Sequence, residues 1–338
     1  IMLWGLLPFG LAQVYGSTLR ETGETLLPMK ASVAGIVTNL CLNYILIYGK
    51  LGFPALGVEG AAIATVISRF VELAIIMVYT HRHAGTFQFI EGLYRSVRIP
   101  KDLTFTIIKK GMPLLVNELL WSLGVTALTQ IFSTRGLNVV ASLNITGTVT
   151  NLFNVVMFSM GSAVAVMVGQ ALGADDIPRA KQIAWRLIFF NVCICIVIGG
   201  LLAVLSPVIP YIYKTTDDVR KLAAHFMRTS AFYMCFNAVT HCTYFTMRSG
   251  GKTFVTFLFD SVYTWIIFVP FAYILTHFTT MDIRALYPVC YLADVLKCII
   301  GIIIVKSGHW AQNMVSDTAS GKLTESNVNK LCESDNTI

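Results

Sequence analysis

Charged residues are scarce in this 338-residue sequence, where Asp, Glu, Lys and Arg together make up only 13% of the chain. Soluble domains carry roughly 25%, and hydrophobic residues here reach 55%. An ordinary soluble enzyme is therefore excluded, and so is a disordered protein, which needs low hydrophobicity and high charge. The alternation of apolar and polar residues that is typical of membrane barrels is missing too. Because the apolar runs are long and unbroken, the sequence predicts an all-α polytopic membrane protein.

Catalytic and metal-binding motifs are also missing. No Ser/His/Asp set, HExxH, DxxD or Walker sequence occurs, which disfavours an integral membrane enzyme and an ATP-driven pump. Seven of the eight cysteines lie inside apolar segments and lack metal-ligand spacing to histidine, so they are interpreted as core residues. The net charge of +7 comes from Lys and Arg between the apolar runs, where they set membrane topology. We expect no cofactor and no nucleic-acid partner.

Nine apolar segments are long enough to cross a bilayer, which takes about 20 residues of helix. They cover residues 2–19, 31–48, 57–80, 112–134, 139–171, 184–213, 222–247, 254–278 and 285–306. The fifth carries Asn144, Asn151 and several threonines. We expect this span to face other helices or a cavity rather than lipid.

Lys and Arg are distributed unequally between the two sides of the predicted membrane. Alternate connections hold sixteen of them on one side and six on the other. Because basic residues accumulate on the cytoplasmic side, the C-terminus and the segment 81–111 are predicted to be cytoplasmic.

An internal repeat relates the two ends of the sequence. Residues 18–25 (TLRETGET) align with residues 246–253 (TMRSGGKT), with four of eight positions identical at an offset of 228. The tripeptide Tyr-Ile-Leu then recurs at 44–46 and 273–275. Both copies run the same way through the membrane, which indicates a parallel pseudo-two-fold repeat of the kind found in transporters.

The repeat predicts a domain organisation. Residues 1–80 are the last three helices of an N-lobe, 81–111 is the cytoplasmic inter-lobe linker, 112–306 is a six-helix C-lobe, and 307–338 is a polar cytoplasmic tail. Nine helices of an expected twelve would then be present, with roughly three more before residue 1. The apolar start at Ile1, without a basic segment, fits an N-terminally truncated sequence better than a signal peptide.

Glu118 is the acidic residue that most strongly suggests a site. It lies in the fourth span after Pro113, beside Asn117 and one turn before Trp121, with no basic residue three or four positions away. A charge in the bilayer costs on the order of 2.5–3.5 kcal/mol. Glu118 should therefore bind a cation or accept a proton, unless a neighbouring helix caps it.

Two pairs of ionisable residues have a structural explanation. Arg69 and Glu72 are three positions apart in the third span, and Asp294 and Lys297 repeat that spacing in the last one. Residues three apart are neighbours on a helix surface. We expect two ion pairs, each within one helix.

Two further ionisable residues lie in the C-lobe spans. Asp260 is near the cytoplasmic end of the eighth span, where it could brace the turn at Arg248. His241 lies deep in the seventh span without a charged partner in the sequence. We expect a neutral buried histidine that is hydrogen-bonded to a hydroxyl group.

Three uncharged polar residues could converge in the first part of the chain. Asn39 and Asn43 share a helix face because they are four residues apart, and Thr65 lies on the next helix. Polar residues in membranes commonly make interhelical hydrogen bonds. A cation site is the alternative.

The sequence resembles the multidrug and toxic compound extrusion (MATE) family over about residues 2–306. The likeness rests on Asn39-x3-Asn43-Tyr44, on the run GVEGAAIAT at 57–65, on GQALGA at 169–174, and on the turns at Arg20 and Arg248. The resemblance implies twelve helices in two six-helix lobes. It also implies a secondary antiporter that exports cationic or amphipathic small molecules in exchange for Na⁺ or H⁺.

The resemblance further implies roles for individual residues. Glu118, Asn39, Asn43 and Thr65 would couple transport to the cation, with an amide at Asn43 where some members have a carboxylate. Asp260, Asp294, His241, Arg69 and Glu72 would be secondary ionisable residues. The substrate cavity would include Asn117, Trp121, Asn144 and Asn151. We expect a monomer in a bacterial plasma (inner) membrane, and no metal beyond a possible Na⁺.

A lipid-linked saccharide flippase of the same wider superfamily is the alternative function. Such flippases usually line their cavity with many cationic residues. Buried cations are few and mostly paired in this sequence, which favours a cationic cargo.

Overall fold

The computed structural model describes residues 1–90 and 101–312. In these ranges the chain is almost entirely helical and has no β-strand. A short 3₁₀ turn at Met2–Gly5 precedes nine long helices. They are α1 (Leu6–Glu21), α2 (Leu26–Tyr48), α3 (Gly57–Arg82), α4 (Lys101–Ser133), α5 (Leu137–Gly173), α6 (Ile177–Leu205), α7 (Asp217–Ser249), α8 (Thr253–Phe278) and α9 (Ile283–Ser307).

Seven of the nine described helices have the length and apolar composition needed to cross a membrane, namely α2 to α6, α8 and α9. Of the other two predicted spans, α1 has only 16 residues, and α7 is long but carries charged residues near both ends. Each predicted span corresponds to a helix. The prediction of an all-α polytopic membrane protein is confirmed.

The bounds of α6 differ from the predicted span 184–213. The helix begins at Ile177 because the Asp176 carboxylate accepts a hydrogen bond from the backbone N–H of Arg179 at 3.1 Å, a standard N-terminal cap. It ends at Leu205, just before Pro207, which has no N–H to continue the hydrogen-bond pattern. Because of the Asp176 cap and Pro207, this helix begins and ends about two turns earlier in the sequence than its apolar run predicts.

The chain divides into two compact units, Ile1–Lys101 and Asp102–Ile338. α4 begins at Lys101, so residues 101–111 of the predicted linker are helical, and 91–100 lie outside the described part of the chain. In the first unit α1, α2 and α3 share a core around Leu19, Ala31 and Ile76.

Helices α4 to α9 form the second unit. One core cluster joins α5, α6, α7 and α9 and includes Val168, Ala184, Met247 and Val305. Trp310 belongs to this cluster, is 2% exposed, and donates a hydrogen bond from Nε1 to the Val305 carbonyl at 3.0 Å. The polar tail predicted at 307–338 is therefore packed against the bundle at its start, and residues 313–338 lie outside the described part.

The repeated sequence at 18–25 and 246–253 forms the same turn twice. After α1 the N–H groups of residues 22, 23 and 24 donate to the carbonyls of residues 18, 20 and 19. After α7 the N–H groups of residues 250, 251 and 252 donate to the carbonyls of residues 246, 248 and 247, which is the same pattern shifted by 228. The shared glycine has positive φ in both, +95° at Gly23 and +74° at Gly251. Only glycine adopts that conformation without strain, so its identity in both copies has a backbone reason.

Gly199 and Gly200 are adjacent in α6, but only Gly199 faces α7. A Cβ atom at Gly199 would lie 2.7 Å from the Ala231 carbonyl oxygen, whereas one at Gly200 would meet nothing within 4 Å. We expect Gly199→Ala to destabilise the protein by about 1–3 kcal/mol through overpacking. Gly200→Ala should stabilise it by up to about 0.8–1.0 kcal/mol because alanine favours helix. Thermal unfolding of both variants checks this, and equal midpoints would contradict the packing of α6 on α7.

Candidate functional site

The second unit contains a cavity of about 840 Å³. Residues of α4, α5, α7, α8 and α9 line it, including asparagine side chains of α5 and α7. Its wall carries three carboxylates, Glu118, Asp260 and Asp294, and among the described lining residues one lysine, Lys297. This volume is in the range of small-molecule binding sites, which is roughly 300–1,000 Å³.

Asp260 is the most fully bonded of the three carboxylates. The Lys297 ammonium on α9 donates to its Oδ1 at 2.6 Å, and the two side chains are only 16% and 14% exposed. Asn117 on α4 donates from Nδ2 to the other oxygen at 3.1 Å. The Asn117 amide is itself held by Ser261, which donates to its Oδ1 at 2.7 Å. Asp260 is thus neutralised by a lysine and fixed by an amide.

This pairing corrects two predictions. Lys297 forms its ion pair with Asp260 on α8 and not with Asp294 on its own helix, and the hydrogen bonds and ion pairs of the described residues do not join Asp260 to the turn at Arg248. A spacing of three residues reports only on neighbours along one helix, whereas a lysine side chain is long enough to reach the next helix. Asp260 lies at Leu258–Val262, the first of two π-helical segments of α8. Such π-helical segments are frequent at functional sites.

Glu118 projects from α4 into the cavity with 61% of its side chain exposed. The Tyr244 hydroxyl donates to its Oε1 at 3.2 Å, and the nearest nitrogen of Arg248 lies 3.9 Å from the same atom. Both partners belong to α7, so the expectation of a carboxylate without a basic partner is corrected. A cation this far away and partly exposed stabilises the charge only weakly, which leaves Glu118 accessible to small ions and molecules in the cavity.

Asp294 is the third carboxylate of the cavity wall. No hydrogen bond and no ion pair joins its carboxylate to any described residue, although Lys297 is near enough to interact with it electrostatically. α9 is interrupted at Tyr291, and Asp294 lies in the first turn after the interruption. The sequence predicted an ion pair between Asp294 and Lys297, whereas Lys297 pairs with Asp260 and leaves Asp294 without an ion pair to a described residue.

His241 also lines the cavity, but its predicted hydroxyl partner is absent among the described residues. Its Nε2 is buried without a hydrogen-bond partner. The ring lies between those of Phe158 and Phe245, at centroid distances of 5.3 and 5.0 Å. Aromatic packing therefore takes the place of the expected hydroxyl contact.

Asn39, Asn43 and Thr65 meet in the first unit. Asn43 Nδ2 donates to Asn39 Oδ1 at 2.9 Å, and Asn39 Nδ2 donates to Thr65 Oγ1 at 3.3 Å. The Oδ1 atom of Asn43 is buried and has no partner. Interhelical hydrogen bonding is thus observed. The Asn43 Oδ1 atom remains available to accept a hydrogen bond or to contact a cation.

Arg69 and Glu72 form the predicted ion pair, with 2.8 Å between Nη1 and Oε2. Glu72 also accepts a hydrogen bond from Ser32 on α2 at 2.6 Å, and the Arg69 guanidinium lies 5.0 Å from the Phe9 ring centre on α1. The pair therefore connects the three helices of the first unit. Its carboxylate has no oxygen left without a partner.

The four predicted cavity residues divide into two groups. Trp121, Asn144 and Asn151 line the cavity. Asn117 does not, because it is 1% exposed and bonded to Asp260, Ser261 and Tyr244. Sequence reasoning missed the part that Tyr244 plays, because its partners Asn117 and Glu118 are 127 and 126 positions away.

Comparisons with known proteins show what the chain is similar to. The MatE family model matches residues 113–274, which contain most of the cavity wall. The chain is 27% identical over 289 residues to the probable multidrug resistance protein YoeA of Bacillus subtilis, which covers 83% of the chain and 62% of YoeA. It is 28% identical over 278 residues to the probable multidrug resistance protein NorM of Mannheimia succiniciproducens, over 81% of the chain and 59% of that protein. The chain spans about three fifths of the length of these curated relatives.

Solved structures show the same fold. A mutant of the Vibrio cholerae MATE transporter VcmN superposes with a TM-score of 0.80 at 20% identity, over 92% of this chain and 69% of that one. A MOP superfamily transporter from Pyrococcus furiosus superposes with a TM-score of 0.77 at 22% identity, over 88% of this chain and 65% of that one.

Proposed function

We propose that this chain, which belongs to the MATE family, acts in a secondary active transporter that exports cationic or amphipathic small molecules in exchange for Na⁺ or H⁺. The observation that carries the proposal is the charge of the cavity. Three carboxylates and one lysine line it among the described residues. Such a wall attracts organic cations and repels anions.

Coupling is assigned to Glu118. Its side chain is 61% exposed, against 16% for Asp260, the other ion-paired carboxylate of the cavity, and the Tyr244 hydroxyl is its one described hydrogen-bond donor. A proton or Na⁺ that binds there removes one negative charge from the cavity, so that ion and cationic cargo compete. Such competition gives exchange without a separate coupling device. Asn39, Asn43 and Thr65 form a second candidate cation site, supported by the free Asn43 oxygen.

The flippase remains the second candidate, and the cavity charge disfavours it. Lipid-linked saccharides carry phosphate groups, which require unpaired cations. Lys297 is the cation among the described lining residues, and Asp260 already neutralises it.

The proposed setting is a bacterial inner membrane. Both relatives named above are bacterial proteins, and the sixteen-to-six distribution of Lys and Arg supports a cytoplasmic C-terminus. We propose a monomer, because the substrate cavity lies within a single unit of one chain.

Transport by the whole protein in liposomes tests the function. Vesicles loaded with the cationic dye ethidium should release it when an inward gradient of Na⁺ or of protons is imposed, because the ion and the dye exchange at one negative site. An ionophore that collapses the gradient should stop the release, and protein-free vesicles give the background. Folded protein that moves the dye under neither gradient would refute the antiport, and movement of a lipid-linked saccharide would favour the flippase.

A further inference from the structure

The three cavity carboxylates differ in how much of their charge is available to a ligand. Asp260 is held by Lys297 and Asn117, and Glu118 accepts a hydrogen bond from Tyr244 with Arg248 nearby. Asp294 alone has neither a hydrogen bond nor an ion pair to a described residue. Since a charge in a membrane protein needs a partner or a function, Asp294 is the cavity carboxylate that no described residue neutralises by direct contact.

Aromatic side chains line the same cavity wall as Asp294. Tyr287 and Tyr291 precede it by seven and three positions on α9, a spacing that places the three residues on one helix face, and the two rings lie 4.9 Å apart between centroids. Phe268 of α8 meets Tyr291 edge-on at 6.0 Å. All four residues line the cavity. An anion beside several aromatic faces is the arrangement that recognises organic ammonium groups.

The backbone of α9 holds this arrangement in place. Pro288 cannot donate to the Arg284 carbonyl four residues earlier, and the His225 ring of α7 binds that carbonyl instead, at 2.7 Å. The Pro288 carbonyl accepts a hydrogen bond from the Tyr233 hydroxyl at 3.0 Å. Two side chains of α7 therefore bind carbonyl groups of α9 just before the interruption at Tyr291, which holds this part of the helix in place.

The hydroxyl groups of the two tyrosines are already committed to each other. They lie 3.1 Å apart and share a hydrogen bond, so one hydroxyl hydrogen is used between them. A small metal ion binds through about six oxygen ligands, which a single carboxylate does not supply. The chemistry thus favours a large, weakly hydrated cation over a metal ion.

We propose that Asp294, with Phe268, Tyr287 and Tyr291, forms a subsite for the quaternary or protonated amine group of an organic cation. This subsite rests on the proposed export function and is separate from the coupling role of Glu118. Asp294 supplies the countercharge, and the three rings supply the apolar and cation–π contacts.

Equilibrium binding to the purified whole protein tests the subsite without any ion gradient. The probes are ethidium, followed by its fluorescence, and tetraphenylphosphonium as a competitor. Asp294→Asn keeps the shape and removes the charge, so the Kd for ethidium should rise about tenfold or more, as expected for a lost charge pair. Phe268→Leu removes one ring and no polar atom, and should raise the Kd about threefold.

Asp217→Asn is the matched control, because Asp217 is 75% exposed at the start of α7 and does not line the cavity. An unchanged Kd in folded Asp294→Asn protein would overturn the subsite, and so would a lack of probe binding by the unmodified protein. If Asp294→Asn does not fold, the Phe268→Leu variant becomes the test. An unchanged Kd for ethidium in that variant would overturn the proposal. If the subsite is correct but the antiport is not, the protein would bind ethidium without releasing it from vesicles under an ion gradient.

Discussion

Replacing Lys297 with methionine should destabilise the protein by about 3–5 kcal/mol, the usual effect of removing one partner of a buried ion pair. The lysine is 14% exposed and lies 2.6 Å from Asp260, which is 16% exposed. Without the ammonium, Asp260 would keep only the Asn117 amide as a described donor. Fluorescence-detected size exclusion after heating measures the loss as a lower unfolding midpoint.

A second substitution separates the lost charge from the lost packing. Asp260→Asn combined with Lys297→Met removes both charges, so most of the stability should return, because replacing a buried pair by neutral groups is often nearly neutral. Asp217→Asn breaks the ion pair with Arg220 at 2.9 Å on an exposed surface and should cost less than about 1 kcal/mol. If Lys297→Met is as stable as the unmodified protein, the pair does not hold α8 and α9 together.

The helices and one ion pair could be predicted from the sequence because their causes are local. The apolar runs of the sequence indicated every long helix described. The spacing of Arg69 and Glu72 predicted a contact that the structure shows at 2.8 Å. The glycine shared by the two repeated turns carries a conformation that almost no other residue adopts.

The pairing between helices could not be predicted in the same way. Asp294 and Lys297 have the spacing of a local pair, yet Lys297 bonds to Asp260, which is 37 positions away. Glu118 seemed unpaired because Tyr244 is 126 positions from it. Hydrophobic periodicity fixes which side of a helix is buried but not which neighbour it meets, so the partners of both acids depend on tertiary packing.

Glu118→Gln should reduce ion-driven ethidium efflux by at least about tenfold, because a neutral amide neither releases a proton nor provides a full charge for Na⁺. Folding should be preserved, since the glutamine oxygen can still accept the Tyr244 hydroxyl hydrogen and the side chain is already 61% exposed. Efflux from proteoliposomes under imposed Na⁺ and proton gradients measures the effect.

Two further measurements identify the cause. Glu118→Asp keeps the charge and should retain part of the efflux, whereas loss of packing would affect both variants alike. Equilibrium binding of ethidium should change less in Glu118→Gln than in Asp294→Asn, because Asp294 provides the countercharge for the cargo in the proposed subsite and Glu118 responds to the ion. Normal gradient-driven efflux in Glu118→Gln would exclude Glu118 as the coupling carboxylate. Asp294, the unpaired acid of the same cavity, would then have to bind both ion and cargo in turn.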